Sequence, residues 1–293
     1  MVSIVITAYN VGEYIEQSVK SALSQSLKDI EVVVVLDKPT DNTADVVRTI
    51  KDERLKIVEN KKNVGAGLSR RTGIAHAKGD YILLLDGDDW LKPSFVERLY
   101  KRAKEENADI VSGGVTIREE SGYYEVQCVG DRVCKGYEKI TKYWGLKTVF
   151  MNNRLIRREL FDKVPYCHRR YIEDTPTIIP MLWYANKVVY VDEIGYNYRV
   201  NPKSLTHTAD WFKEWVFKGL CYCDLVEFFN AHDPELYKHL DIRQYACNIF
   251  AQLRQSVLTV ETISQYPNEF CELMMRLSNL VSVESVKYKQ IQQ

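Results

Sequence analysis

Tyr81-Ile82-Leu83-Leu84-Leu85-Asp86-Gly87-Asp88-Asp89 is the stretch that decides how this chain folds. Five apolar residues in a row, set off by Lys78-Gly79-Asp80, predict a strand buried on both faces. Three carboxylates follow where that strand ends. So much negative charge in one place costs free energy unless a cation or hydrogen bonds offset it. Two readings follow. Asp88 or Asp89 caps the helix that Pro93 opens. Alternatively, the acids hold a hard divalent ion, Mg²⁺ or Mn²⁺, whose shell is completed by phosphates of a substrate.

The residues upstream favour the second reading. Val2 to Thr7, Val32 to Leu36 and Leu55 to Val58 are apolar, β-branched runs that predict three more buried strands. Between them, Tyr14, Ile15, Val19, Ala22 and Leu23 space out one helix face, and Val46, Val47 and Ile50 another. The loop Asn63-Val64-Gly65-Ala66-Gly67 leads into a third helix through Leu68, Ile74 and Ala75. Strands alternating with helices imply a mostly parallel sheet covered on both faces, an α/β fold. In such sheets ligands bind beyond the carboxyl ends of the strands. Three strand ends carry polar groups, namely Thr7-Ala8-Tyr9-Asn10, Asp37, and Asp86-Gly87-Asp88, so all three are expected on one edge.

Downstream, Pro93, Phe95, Val96, Leu99, Tyr100 and Ala103 describe a further amphipathic helix, and Ala108 to Val115 a strand, with a weaker one at Tyr123 to Val129. Trp144 to Arg170 is irregular. Glu173-Asp174-Thr175-Pro176 opens a helix through Ile178, Ile179, Leu182 and Trp183, where first-turn carboxylates also suit the helix dipole. Lys187 to Val191 and Gly195 to Arg199 read as two strands. From Ala209 to about Val286 the apolar residues suggest helices alone. The expected division is an α/β domain at 1–208 and a C-terminal helical region at 209–293.

Lys+Arg and Asp+Glu number 40 each, so no global basic field points to nucleic acid or an anionic membrane. No apolar run has the length of a membrane span, and no basic segment precedes the first strand. Seven cysteines without a CxxC pair fit reduced thiols in a cytoplasmic protein, with peripheral attachment at the inner membrane face as a further expectation.

Val2 to Asn10, Asp37 after a hydrophobic strand, Asn63-x-Gly65 with Gly67-Leu68-Ser69-Arg70, and Leu85-Asp86-Gly87-Asp88-Asp89 together resemble family 2 glycosyltransferases of the GT-A fold, over roughly the first 200 residues. The resemblance implies an inverting transfer from a nucleotide-activated sugar, usually UDP-linked, assisted by Mn²⁺ or Mg²⁺. It assigns Thr7, Tyr9, Asn10 and Asp37 to the uracil and ribose, Asp86 to the ribose and the metal's water shell, and Asp88 to the metal itself. Asp89 falls to a structural role, and Arg70 either faces the diphosphate or is a solvated helix residue. Glu173-Asp174 resembles the family's acidic pair, with Asp174 as general base and Glu173 orienting it or the acceptor. Arg199, Lys203, Ser204 and His207 fall in its closing segment and are candidates to steady the leaving diphosphate. The chain departs from the pattern at Leu36, where a second acid is common, at Lys38-Pro39, where Gly-Ser is common, and at Arg71, where Asn is common.

The implied partners are a UDP-sugar and a glycan or lipid-linked saccharide acceptor, with a homodimer also open. Two rivals remain. A sugar nucleotidyltransferase would open with a Gly-rich loop and a basic residue, where this chain has Thr7-Ala8-Tyr9-Asn10. A sugar-nucleotide-binding module without catalysis would have no need of Asp86, Asp88 and Asp174 together.

Overall fold

The computed structural model describes residues 1–119, 121–126, 131–136, 138–140, 151–164, 172–201, 211–239 and 260–291. The chain divides into two compact units, Met1–Ser204 and Leu205–Gln293.

The first unit is built on one sheet. Strands β1 (Val2–Ala8), β2 (Ile30–Leu36), β3 (Leu55–Glu59) and β4 (Tyr81–Asp86) pair in parallel in the order β3-β2-β1-β4. Helices α1 (Ile15–Leu23), α2 (Thr43–Thr49) and α3 (Ala66–His76) make the crossovers. β1 and β2 are rich in β-branched residues and, with β4, almost wholly buried, as strands covered on both faces require, whereas β3 at the sheet edge is only partly buried. Alternate residues point to opposite faces. Val2, Ile4, Ile6 and Ala8 join Ile15, Val19 and Ala22 of α1 in one core, while Val5 and Val35 meet α3 at Gly73 on the other side.

Beyond β4 the sheet becomes mixed. Strand β5 (Trp90–Leu91) is followed by α4 (Phe95–Glu106), β6 (Ile110–Glu119), β7 (Gly122–Val126), β8 (Arg132–Cys134) and β9 (Arg154–Arg157). After a 3₁₀ turn at Arg158–Asp162 come α5 (Asp174–Tyr184) and β10 (Val188–Arg199). The order continues β4-β9-β6-β10-β5, with β9 antiparallel to both neighbours and β10 parallel to β6. Strand β9 lies in the stretch expected to be irregular. Its four residues are too few to show a period, and tertiary pairing alone makes them a strand. The two strands expected at Lys187–Val191 and Gly195–Arg199 are one strand, β10, whose register shifts between Tyr190 and Ile194 and again before Tyr196. Such bulges interrupt the alternation that would mark a single strand. Phe95 fills the space beside Gly113 and Gly195, where a Cβ would lie 2.4 and 2.1 Å from its ring.

The second unit contains α6 (Trp211–His232), α7 (Pro234–His239), α8 (Val260–Gln265) and α9 (Pro267–Ile291). Phe212, Val216, Leu220 and Cys223 of α6 pack on Leu273 and Leu277 of α9. Arg276 on α9 reaches Asp224 and Glu227 on α6, so the two long helices are joined by charge as well as apolar contact. Among the described residues, no helix is long and apolar enough to cross a membrane. Cys134, Cys221 and Cys223 are buried and Cys271 is exposed.

Candidate functional site

Parallel pairing places Thr7 beside Asp86 in register and Ala8 beside Leu36, so the ends of β1, β2 and β4 meet on one edge as expected. The Thr7 hydroxyl donates to Asp86 Oδ1 at 3.4 Å. Tyr9, just past β1, is about half exposed (46%), with its ring open to a ligand. Asn10 takes a positive φ of 53° and ties its loop to the next one. Its Nδ2 donates to Thr40 Oγ1, and its Oδ1 accepts from the Thr40 N–H at 2.8 Å.

Asp37 is buried at the end of β2. Its carboxylate accepts from Asn60 Nδ2 at 2.8 Å and from the backbone N–H groups of Val64 and Gly65 at 2.9 and 2.8 Å. It therefore anchors the Asn63-to-Gly65 loop and leaves room for about one further donor on its four lone-pair sites. Lys38, next to it, has φ of 56°, a left-handed conformation that glycine reaches without cost. A glycine is common there in the resembling family, so this chain keeps the turn with a residue that strains it.

The Asp86-Gly87-Asp88-Asp89 turn is packed hard against β1, since a Cβ on Gly87 would sit 2.8 Å from the Thr7 carbonyl oxygen. Asp86 accepts from Thr7, from Arg70 at 3.1 Å and from Asn152 Nδ2 at 2.6 Å. Burial, reinforced by the charge of Asp86, pushes the Asp88 carboxyl up to about 6. Asp89 is not a helix cap. It is buried and accepts from the Tyr196 hydroxyl at 2.5 Å and the Arg199 N–H at 2.8 Å. Burial, then the charges of Asp88 and Asp86, raise its carboxyl well above the usual range. The Tyr196 hydroxyl also accepts from the Asp86 N–H and Asn152 Nδ2, both at 3.3 Å, so it joins β10 to the turn.

Arg199 belongs to the same turn. Its guanidinium lies between the Tyr14 and Trp90 rings, at 4.6 and 4.7 Å from their centroids. It donates to the Asp88 carbonyl oxygen at 2.9 Å and to Gln17 at 2.7 Å. Lys203, Ser204 and His207 lie outside the described residues.

Glu173 and Asp174 stand at the start of α5, yet the side chain of Glu173, in the capping position, makes no capping bond. Both reach Arg70 instead. One guanidinium nitrogen donates to Glu173 Oε1 at 3.0 Å and to Asp174 Oδ1 at 2.7 Å. Arg70 is thus neither solvated nor free, being 7% exposed and in contact with three carboxylates. The second oxygen of Asp174 accepts the Met151 N–H at 3.3 Å. Burial raises the Glu173 carboxyl to about 7, against the pull of Arg70 and with the push of Asp174. Burial likewise raises Asp174, with Arg70 opposing and Asp86 adding to the rise.

A raised carboxyl makes stability depend on pH in a defined direction. The contribution of Glu173 is fully present below its unfolded value of 4.5 and is lost as pH rises through about 7. Glu173→Gln keeps an acceptor for Arg70 and removes the buried charge. It is therefore expected to stabilise the protein by about 1–3 kcal/mol at pH 8 and to have little effect at pH 4.5. Thermal unfolding at the two pH values measures this, and a variant that is less stable at pH 8 contradicts it.

Asn152 and Tyr196 are site residues whose part the sequence did not disclose. Asn152 sits in a stretch without periodicity, and Tyr196 stands out only as the first residue of the closing segment that resembles the family's, with no contact to Asp89 implied. Tyr196→Phe removes a buried donor to Asp89 and is expected to cost about 1–3 kcal/mol in urea unfolding. An unchanged midpoint would show that Asp89 finds another donor.

With these strands and acids in place, the chain falls among α/β proteins that keep their ligand site beyond the carboxyl ends of parallel strands. It belongs to glycosyl transferase family 2, whose sequence profile matches residues 3–165. The glycosyltransferase GlyG of Streptococcus pneumoniae is 28% identical over 232 residues, covering 74% of this chain and 77% of that protein. An uncharacterized glycosyltransferase of Bacillus subtilis, EpsJ, is 31% identical over 300 residues, covering 98% and 85%. The crystal structure of S. aureus TarS 1–349 superposes with a TM-score of 0.69 at 18% identity, covering 94% of this chain and 80% of that one. The expected family and the α/β sheet of the GT-A type, with its C-terminal helices, are thereby borne out.

Proposed function

We propose that this glycosyltransferase moves a sugar from UDP to a hydroxyl of a saccharide acceptor, with inversion and with the aid of a divalent ion. The observation that carries the reading is the meeting of two acidic groups at one sheet edge. Asp86 and Asp88 lie at the end of β4, and Glu173 and Asp174 at the start of α5, joined through Arg70. One group suits a phosphate-bound cation and the other suits proton removal.

For inversion, the acceptor hydroxyl attacks the anomeric carbon from the face opposite the diphosphate and gives up its proton as it does so. Asp174 is assigned this proton. Burial raises its carboxyl, which makes the ionised form a stronger base than an exposed aspartate. Glu173 shares the same guanidinium nitrogen and keeps Asp174 oriented.

The residues fit a divalent ion. Asp88 is a carboxylate whose charge is disfavoured by burial and by Asp86, and a cation relieves both. The oxygens of Asp86 are already engaged by Thr7, Arg70 and Asn152. Among the described residues, no group of three or more His, Cys, Asp or Glu side chains is arranged to hold an ion. Asp88 would then be the direct ligand, with the donor's phosphates and water supplying the rest. Such an ion supplies positive charge where the leaving diphosphate develops negative charge. A mannosyltransferase from Pyrobaculum calidifontis, which superposes with a TM-score of 0.57, has been solved with GDP-Man and Mn²⁺.

Two further names support the donor and the acceptor class. TarS has been solved in complex with UDP and with UDP-GlcNAc. An Escherichia coli relative, 43% identical over 90 residues, is a UDP-Glc:alpha-D-GlcNAc-diphosphoundecaprenol beta-1,3-glucosyltransferase. A lipid-linked saccharide is the acceptor this favours. A cytoplasmic location, with peripheral attachment at the inner membrane face, belongs to the same reading.

A UDP-release screen over a panel of sugar nucleotides, with Mn²⁺ or Mg²⁺ and a set of saccharide acceptors, tests the reading. The uracil assignment has its own check. The remaining acceptor site of Asp37 is assigned to uracil N3–H, with Tyr9 stacked on the ring. Asp37→Ala is expected to weaken UDP binding by about 1–3 kcal/mol in calorimetry. A wild-type preference for GDP or CDP would overturn the assignment.

A further inference from the structure

We infer that Arg70 is the residue that positions the Glu173–Asp174 pair and ties it to the donor strand, in place of a diphosphate contact; this rests on the transfer reading above. Arg70 lies on α3, and both terminal nitrogens of its guanidinium donate to carboxylates from two other elements, while its Nε is buried without a partner. One terminal nitrogen donates to both Glu173 and Asp174 at the start of α5. The other donates to Asp86 at the end of β4. With so little of the side chain exposed, it has scant surface to offer a phosphate.

Other features give this contact its importance. The backbone just before the pair is strained, because Ile172, a β-branched residue, has φ of 56°. Such a conformation persists only where surrounding contacts enforce it. Arg70 touches both side chains that follow Ile172 and is therefore part of that enforcement. Without Arg70, the described hold on Asp174 is the longer bond from the Met151 N–H. The helix carrying Arg70 is itself anchored, because Asp37 accepts from Val64 and Gly65 immediately before α3 begins. A line of contacts thus runs from the end of β2, through the start of α3 and Arg70, to the acidic pair. Lysine cannot replace this arrangement, since an ammonium is a point charge without the planar fork that reaches three acids.

The test compares wild type, Arg70→Lys and Arg70→Gln in steady-state transfer and in calorimetric binding of UDP and of uridine. Melting temperatures identify any variant that fails to fold, and the Lys variant keeps the buried charge. A positioning role predicts a kcat at least tenfold lower in Arg70→Lys and lower still in Arg70→Gln. UDP affinity should stay within threefold of wild type. It also predicts non-additivity: in an Asp174→Asn background, Arg70→Lys should lower the residual rate less than twofold. A purely structural role would lower both backgrounds alike and overturns the inference. A tenfold loss of UDP affinity with uridine affinity unchanged makes Arg70 a diphosphate ligand and overturns it too. Absence of wild-type transfer from any donor overturns the transfer reading together with this one, whereas wild-type transfer with additive variants overturns this one alone.

Discussion

Asp174→Asn is expected to lower the rate of sugar transfer about 10²–10⁴-fold, the usual worth of a positioned general base. The substitution keeps the size of the side chain and keeps an oxygen facing Arg70, which now lies 2.7 Å from Asp174 Oδ1. What it removes is basicity. A base acts on the acceptor's proton in the transition state, so its loss appears in kcat and not in donor binding. UDP-sugar affinity should therefore stay within about threefold, a difference below about 1 kcal/mol. The competing account makes Asp174 a favourable first-turn charge on α5. The contacts with Arg70 and the Met151 N–H hold both carboxylate oxygens by groups outside α5, each oxygen keeping a lone pair for a proton. An Asn variant with near-normal turnover would remove Asp174 from the mechanism and leave Glu173 as the acid to test.

Asp88→Ala is the second large effect. In wild type, UDP affinity measured by calorimetry should rise when Mn²⁺ is added, because one carboxylate leaves most of the ion's ligands to phosphate and water. In the variant that rise should vanish, and transfer should fall by several orders of magnitude, since charge on the leaving group would go uncompensated. The variant should fold, because the backbone carbonyl at position 88 still accepts from Arg199 and alanine gives up only the side-chain hydrogen bond with Asn201. Its melting temperature without metal should equal or exceed that of wild type at pH 8. The Asp88 carboxyl has its folded value raised to about 6 from 3.8, so its contribution to stability is lost as pH rises through that range. Equal UDP affinity with and without metal in the wild type would end the metal assignment.

The parallel half of the sheet could be read residue by residue because its strands are buried on both faces. Such strands need continuous apolar runs, and Val32 to Leu36 and Tyr81 to Leu85 supply them. The carboxyl-edge cluster followed from the same reading, since parallel strands end on one side and the polar residues after them must meet. Asp86, Asp88 and Asp37 were legible for this reason, and Thr7, Tyr9 and Asn10 by their place after β1. The role of Asp89 was only half legible. Its burial against Tyr196 depends on a strand that ends 110 residues later, at Arg199.

The mixed half was harder because its strands are short or broken. Strand β9 has four residues, and β10 carries two register shifts. Neither leaves a period long enough to recognise. Asn152 lies just before β9 and reaches Asp86 only because β9 pairs beside β4.

What the sequence determined by itself is the order of strands and helices in the first unit, the family, and the sheet edge that gathers the acids. These depend on local apolar runs and on residue types at strand ends, which are written in neighbouring positions. Tertiary structure alone decided the partners of the charged groups. Arg70 looked equally suited to solvent or to phosphate. It is instead enclosed by Asp86, Glu173 and Asp174, from positions 16, 103 and 104 residues away along the chain. A guanidinium has a fixed chemistry but no fixed partner, and which carboxylates surround it is settled only when α3, β4 and α5 close on one another.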